Sequence, residues 1–326
     1  MRLAFLSDTM GATNDIIPAH GLGRANHTIA TGLLNRGHEV TLFGAPGSQF
    51  GGRTVVCDGD GQKYEPQLAK AAYHMRLEFD CYIDAGHKHA FGMLFPDLPL
   101  LNVYHDKWQP YARNAVLVSE GLRTLLPPEF KNAKVIHNQI DPLPFVPSYR
   151  ADTENPYAVF LGFIYKWKAP ILAIEAAARA RLRLLMGGSW QENTDGLWHE
   201  GENSQLLGAI PPYARNELLR GAQVYLQLGH SESFGLTTVE AGLCGTPTVA
   251  WPTGGNLDTV RDGVNGVFID PRNPDRVEAV CLAIQQSKTL NRRQVRAYTE
   301  EHFGHPERQA EQFETLIDKV IRGEWW

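Results

Sequence analysis

Strand and helix patterns alternate along this 326-residue chain, a proline-rich break interrupts them before the middle, and a second alternating series begins after it. These three observations predict an α/β protein of two doubly wound, Rossmann-like domains, because alternating units favour parallel sheets covered on both faces. In the first series, the apolar run Leu3-Ala4-Phe5-Leu6 makes Arg2 to Ser7 a strand. Arg24 to Arg36 reads as an amphipathic helix with Ile29, Leu33 and Leu34 inward, and Glu39 to Phe43 as the second strand. Further strands are expected at Asp80 to Asp84, Leu100 to Tyr104, Ala115 to Ser119 and Lys134 to His137.

The segment Ile140 to Ser148 carries Pro142, Pro144 and Pro147, which extend the backbone and oppose helix. The second series starts with a strand at Tyr157 to Leu161, a helix at Ala169 to Arg181 and a strand at Arg183 to Met186. Val224 to Leu228, rich in β-branched and aromatic residues, is another strand, and Gly229 to Phe234 the loop leaving it. Gly235 to Leu243 reads as a short helix, stopped by Gly245 and Pro247 before the strand Thr248 to Trp251.

Composition narrows the class. A hydrophobic content of 43% suffices for two cores, and a net charge of −5 gives no general electrostatic footprint for duplex nucleic acid, although it leaves room for a local basic groove. Cys57, Cys81, Cys244 and Cys281 lack metal-ligand spacing, which suggests free thiols in a reducing compartment. The apolar start is too brief for a signal-peptide core and no run approaches the ~20 apolar residues of a membrane span, so a cytoplasmic location is expected. Asn26-His27-Thr28 spells a glycosylation sequon but falls inside a predicted helix.

The most informative stretch is Ser231-Glu232-Ser233-Phe234-Gly235-Leu236-Thr237-Thr238-Val239-Glu240. A helix that begins at the carboxyl edge of a parallel sheet directs unpaired N–H groups and its positive dipole end outward. The amides of Gly235, Leu236 and Thr237 are therefore candidate phosphate donors. Glu240 lies one turn further on the same face, where a carboxylate can accept both hydroxyls of a ribose. Glu232 stands in the loop and can address a sugar.

This run, continuing through Ala241-Gly242-Leu243-Cys244-Gly245-Thr246-Pro247, Thr253-Gly254-Gly255 and Asp262-Gly263-Val264-Asn265-Gly266, resembles the retaining GT-B glycosyltransferases of family 4, the glycosyl transferases group 1. The resemblance implies a GT-B fold, with two Rossmann-like domains facing a central cleft. The domains would be residues 1–146, joined by the C-terminal helix 306–326, for the acceptor, and residues 147–305 for the nucleotide-sugar donor. It implies that Glu232 contacts the transferred hexose, that Glu240 holds the ribose, and that the donor is met along Ser233, Phe234, Gly235, Leu236 and Thr237. In Val159 to Pro170, Lys168 falls on the family lysine that clamps the diphosphate, while Phe163 stands where the family has arginine. Lys166 is an alternative cation. Ile210, in Gly208-Ala209-Ile210-Pro211-Pro212, would border the base.

In the first domain, Gly21 and Gly23 of His20-Gly21-Leu22-Gly23-Arg24 match the family's glycine-rich loop, read here as preceding the helix and meeting the donor phosphate or the acceptor. His105 inherits the family histidine near the transferred sugar, which makes Glu232, His105 and Lys168 the catalytic candidates. His87 and His89 also follow a strand end, with ordinary hydrogen bonding favoured over metal binding. Asp58-Gly59-Asp60 reads first as a turn. No cofactor or metal is expected. The donor would be a nucleoside diphosphate sugar, most simply UDP-hexose. The acceptor, whether small molecule, glycan, lipid-linked or nucleic acid, is open. Two rivals are a GT-B sugar-nucleotide epimerase and a non-catalytic sugar-nucleotide-binding protein, the latter prompted by Phe163.

Overall fold

The structure, a computed structural model, describes residues 1–7, 12–13, 21–57, 65–188 and 203–326. The chain divides into two compact units, Met1–Ile140 with His305–Trp326, and Asp141–Gly304.

The first unit contains β1 (Arg2–Leu6), α1 (Gly21–Asn35), β2 (Glu39–Gly44), β3 (Arg53–Val56), α2 (Glu65–His74), β4 (Cys81–Asp84), α3 (Ala90–Leu94), β5 (Leu100–Tyr104), β6 (Ala115–Leu117), α4 (Glu120–Arg123) and β7 (Lys134–Val135). Among the described residues its seven strands pair in the order β3-β2-β1-β4-β5-β6-β7, all parallel. Every residue of β4 and β5 is buried, as expected of central strands with both faces covered. Chain order reverses between β1 and β4, the kind of switch point at which open α/β sheets bind ligands beyond their carboxyl ends.

The helix expected from Arg24 begins three residues earlier, so Gly21 and Gly23 occupy the first turn of α1 rather than a loop ahead of it. The reason is close packing. A Cβ added at Gly23 would stand 2.6 Å from the Ala12 carbonyl oxygen, so only glycine lets the helix start beneath that backbone.

The second unit contains β8 (Tyr157–Leu161), α5 (Pro170–Arg179), β9 (Arg183–Gly187), β10 (Ser204–Gly208), α6 (Pro212–Gly221), β11 (Val224–Gln227), α7 (Leu236–Leu243), β12 (Thr248–Ala250), α8 (Asn256–Thr259), β13 (Gly266–Phe268), α9 (Arg276–Ser287) and α10 (Arg292–Phe303). Among the described residues six parallel strands run β10-β9-β8-β11-β12-β13, which puts the switch point between β8 and β11. Phe160, Met186, Leu226 and Val249 form the core with Ala173, Ala176 and Ala177 of α5 and Val280 and Ile284 of α9. The segment 140–148 has neither helix nor strand, and within it Phe145 is buried, its carbonyl accepting a 3.0 Å bond from Arg296 Nη1.

The last helix, α11 (Pro306–Ile321), buries Ala310, Phe313, Ile317 and Val320, a helical stripe, and packs on α1 of the first unit. Gly32 makes the approach possible, because a Cβ there would lie 3.1 Å from that of Ala310. Glu314 then accepts from Arg36 at 2.6 Å and pairs with His38 at 2.7 Å. Among the described residues no helix is long and apolar enough to cross a membrane.

Candidate functional site

Strands β8 and β11 lie side by side, with Ala158 opposite Val224 and Val159 opposite Tyr225, so the loops leaving their carboxyl ends share one place. After β8 the chain turns at Gly162, whose φ of 125° suits glycine, and enters a short 3-10 turn at Lys166–Lys168. The indole of Trp167 lies across Gly229, just beyond β11, where a Cβ would come within 3.0 Å of the ring. That contact carries Lys168 over the β11 loop. Its Nζ sits 3.3 Å from Glu232 Oε2 and 5.0 Å from the Trp167 ring centre.

The same Glu232 oxygen accepts a 2.7 Å hydrogen bond from Gln227 Nε2, the final residue of β11. Gln227 Oε1 in turn accepts from the Tyr225 hydroxyl at 3.3 Å. Burial, reinforced by the charge of Glu232, keeps Tyr225 protonated far above its ordinary range. Lys168 and Glu232 retain 16% and 18% of their side-chain exposure, enough for a ligand to touch them while most of the pair is shielded.

Glycines shape the turn into α7. Gly235 caps the helix at φ 90°, a left-handed conformation that strains other residues. A Cβ on Gly255 would lie 2.5 Å from both Phe234 N and Ser233 O, and the Gly255 amide donates to Glu232 O at 2.7 Å. The backbone of the Glu232 loop is therefore laid directly on Gly255. The Phe234 ring turns away into the core, edge-on to Phe303 at 5.8 Å, so a donor contact there would fall to its backbone. The amides of Leu236 and Thr237 occupy the first turn, where a helix offers them no internal acceptor.

Glu240, expected to face the ribose, is fully buried in α7, 3.4 Å from Arg215 Nε on α6. Ile210 packs its side chain on Gly187, while the Gly188 amide donates to Gly208 O at 2.7 Å, tying that segment to the end of β9. Phe163 begins a run of aromatic rings: its centre lies 6.1 Å from Tyr165, and Tyr165 lies 6.3 Å from Trp167. Lys166 is exposed. The structure thus brings Lys168 to Glu232 and leaves Glu240 enclosed elsewhere on α7. Sequence reasoning missed Gln227, Tyr225 and Arg215. Gln227 left a faint signal, a lone amide in an otherwise apolar strand; nothing in the α6 sequence distinguishes Arg215.

Gly21, Gly23 and His105 belong to the first unit. His105 follows β5, and the amides of His105 and Asp106 donate to Gln109 Oε1 at 2.9 and 3.2 Å. His87 Nε2 lies 3.1 Å from Asp106 Oδ2; although burial opposes ionisation of Asp106, this bond and the Trp108 amide hold its carboxyl below the usual range. His89 points elsewhere: it is fully buried, its ring centre 4.2 Å from that of Tyr104. Among the described residues no three His, Cys, Asp or Glu side chains are grouped to hold a metal. His20, Asp58 and Asp60 lie outside the described residues.

Two parallel-sheet units with this topology give the chain the GT-B fold of glycosyltransferases. Residues 145–302, within the second unit, match the family described as Glycosyl transferases group 1. A D-inositol 3-phosphate glycosyltransferase of Mycobacterium sp. (strain KMS) is 34% identical over 176 residues, which are 48% of this chain and 40% of that protein. The chain thus spans well under half the length of this relative. Among solved structures, a sucrose-phosphate synthase from Thermosynechococcus elongatus superposes with a TM-score of 0.76 at 17% identity, covering 99% of each chain. Anabaena Alr3699/HepE, solved in complex with UDP and glucose, gives 0.72 at 18% identity, covering 97% of this chain and 99% of that one.

Proposed function

We propose that this chain is a retaining glycosyltransferase that moves a hexose from a nucleoside diphosphate donor, most simply UDP-hexose, to an acceptor. The observation that carries this reading is the Lys168–Glu232 pair at 3.3 Å across the switch point of the group 1 unit. One cation and one carboxylate, partly open, stand beside the start of α7, whose amides suit a diphosphate. In this reading Lys168 and the first turn of α7 neutralise the leaving diphosphate, so no divalent metal is required. Glu232 faces the hexose as positive charge grows at its anomeric carbon. Glu240 takes the ribose hydroxyls, Ile210 borders the base, His105 addresses the transferred sugar and the acceptor, and Gly21 and Gly23 meet the donor phosphate or the acceptor.

Binding of UDP measured by calorimetry, alongside turnover of a panel of nucleotide sugars in chelator, tests the reading. The wild type should bind UDP and release it from one donor with the anomeric configuration retained. Glu232→Gln should lower turnover about 10²- to 10³-fold and leave UDP affinity unchanged. An epimerised donor would replace this reading with an epimerase, and UDP binding without turnover or hydrolysis with a non-catalytic binder. Activity restored only by Mn²⁺ would remove metal independence.

A further inference from the structure

Among the described residues two side chains, Lys168 and Gln227, hold the carboxylate of Glu232, and donor binding as proposed above would take one of them away. If Lys168 turns to a diphosphate, its 3.3 Å contact with Glu232 weakens just as a second anion enters the site. Gln227 remains. We propose that Gln227 is a positioning residue that fixes Glu232 toward the donor sugar once Lys168 is engaged by the diphosphate, an inference that rests on the function proposed above.

The geometry is specific. An ionised carboxylate only accepts hydrogen bonds, so the Gln227 atom 2.7 Å from Glu232 Oε2 must be the amide nitrogen. The amide oxygen then faces Tyr225, whose hydroxyl donates to it at 3.3 Å. The chain Tyr225–Gln227–Glu232 thus anchors the sugar-facing carboxylate to the buried interior of β11. Tyr225 and Gln227 are buried at the end of a central strand, where their rotamers are confined by packing and not by a loop. Being uncharged, Gln227 is not drawn to the diphosphate as an ammonium is, so it can keep its place through the reaction.

The test is kinetic, on the full chain with the donor that the wild type turns over. Gln227→Leu should lower kcat about ten- to hundredfold, the worth of a hydrogen bond to a charged group, with donor KM and UDP affinity within about twofold. Tyr225→Phe should act in the same direction by less, because it only loosens the amide. In the Glu232→Gln background, Gln227→Leu should cost little more, since the carboxylate it orients is already absent. Should Gln227→Leu not fold, Gln227→Met keeps the length without the amide and is read the same way. Full kcat in these variants overturns the proposal. So does a loss of kcat that tracks equal losses of UDP affinity and melting temperature, or full additivity with Glu232→Gln, because each describes packing alone. A wild type that binds UDP but turns over no donor instead sinks the proposed function, and the positioning role with it.

Discussion

At the switch point of the second unit, Glu232 leaves β11 into a loop and meets Lys168 at 3.3 Å and Gln227 at 2.7 Å while keeping some contact with solvent. At the switch point of the first unit, Asp84 ends β4 and turns its carboxylate inward, accepting from the amides of Gly86, Phe91 and Gly92 at 3.1, 3.0 and 3.0 Å. Burial lifts the Asp84 carboxyl to about 6 despite those three bonds, and His89, 3.9 Å away, is pushed down to about 3 by its own burial with the charge of His105 helping. Equivalent places in two parallel sheets thus hold carboxylates of different kinds. One is held by side chains and left reachable; the other is consumed by the backbone that it organises. A titratable residue at a sheet's carboxyl edge is a site candidate only if its partners leave it a free face.

The sharpest way to break this contrast is Glu240, which belongs by sequence to the reachable group and by burial to the enclosed one. Glu240→Ala leaves Arg215 buried without its carboxylate and should cost about 3 to 5 kcal/mol in urea denaturation, most of it recovered by Glu240→Gln. An unchanged midpoint would mean that Arg215 simply swings to water, and that the pair has no structural part.

Lys168 comes next. Lys168→Ala should lower kcat/KM by about 2 to 4 kcal/mol, while Lys166→Ala, which removes an exposed side chain, should be close to silent. If Lys166→Ala is the crippled variant, the cation that matters has been misassigned, and the 3.3 Å pair is a resting contact only.

The smallest effect sharpens the enclosed side. A histidine whose folded value is about 3, against an ordinary ~6.5, stabilises the fold above that ordinary value and loses its contribution as pH falls toward 3. Asp84 has the opposite sign, since a carboxyl raised to about 6 loses its contribution as pH rises through that value. In the wild type the two slopes oppose one another between about pH 4 and 6. His89→Asn, which suits the φ of 45° there, should uncover the Asp84 slope, and stability should then fall by up to about 1.4 kcal/mol per pH unit across that range. A variant whose stability stays flat there would show that Asp84 remains ionised on its three amides.

Legible along the chain are the alternation of strands and helices, the break between the two series, the entry to α7 and the candidacy of Glu232 and Glu240, while Lys168 stands out only through the family resemblance. Those features are local: apolar periodicity, prolines at 142, 144 and 147, and a glycine-led helix start can be read within a dozen residues. The edge strands β3, β10 and β13 were not anticipated, since short segments are fixed by pairing with β2, β9 and β12 and not by their own pattern. Packing alone sets the start of α1 at Gly21, because the constraint is a carbonyl at Ala12 that no helix rule contains. It also brings Lys168 to Glu232, 64 residues away, and Glu240 to Arg215, since both pairs depend on which strands and helices become neighbours. Hydrophobic patterning specifies which residues go inside, but a carboxylate's partner is set by the order in which strands join a sheet, and that order is a property of the whole chain.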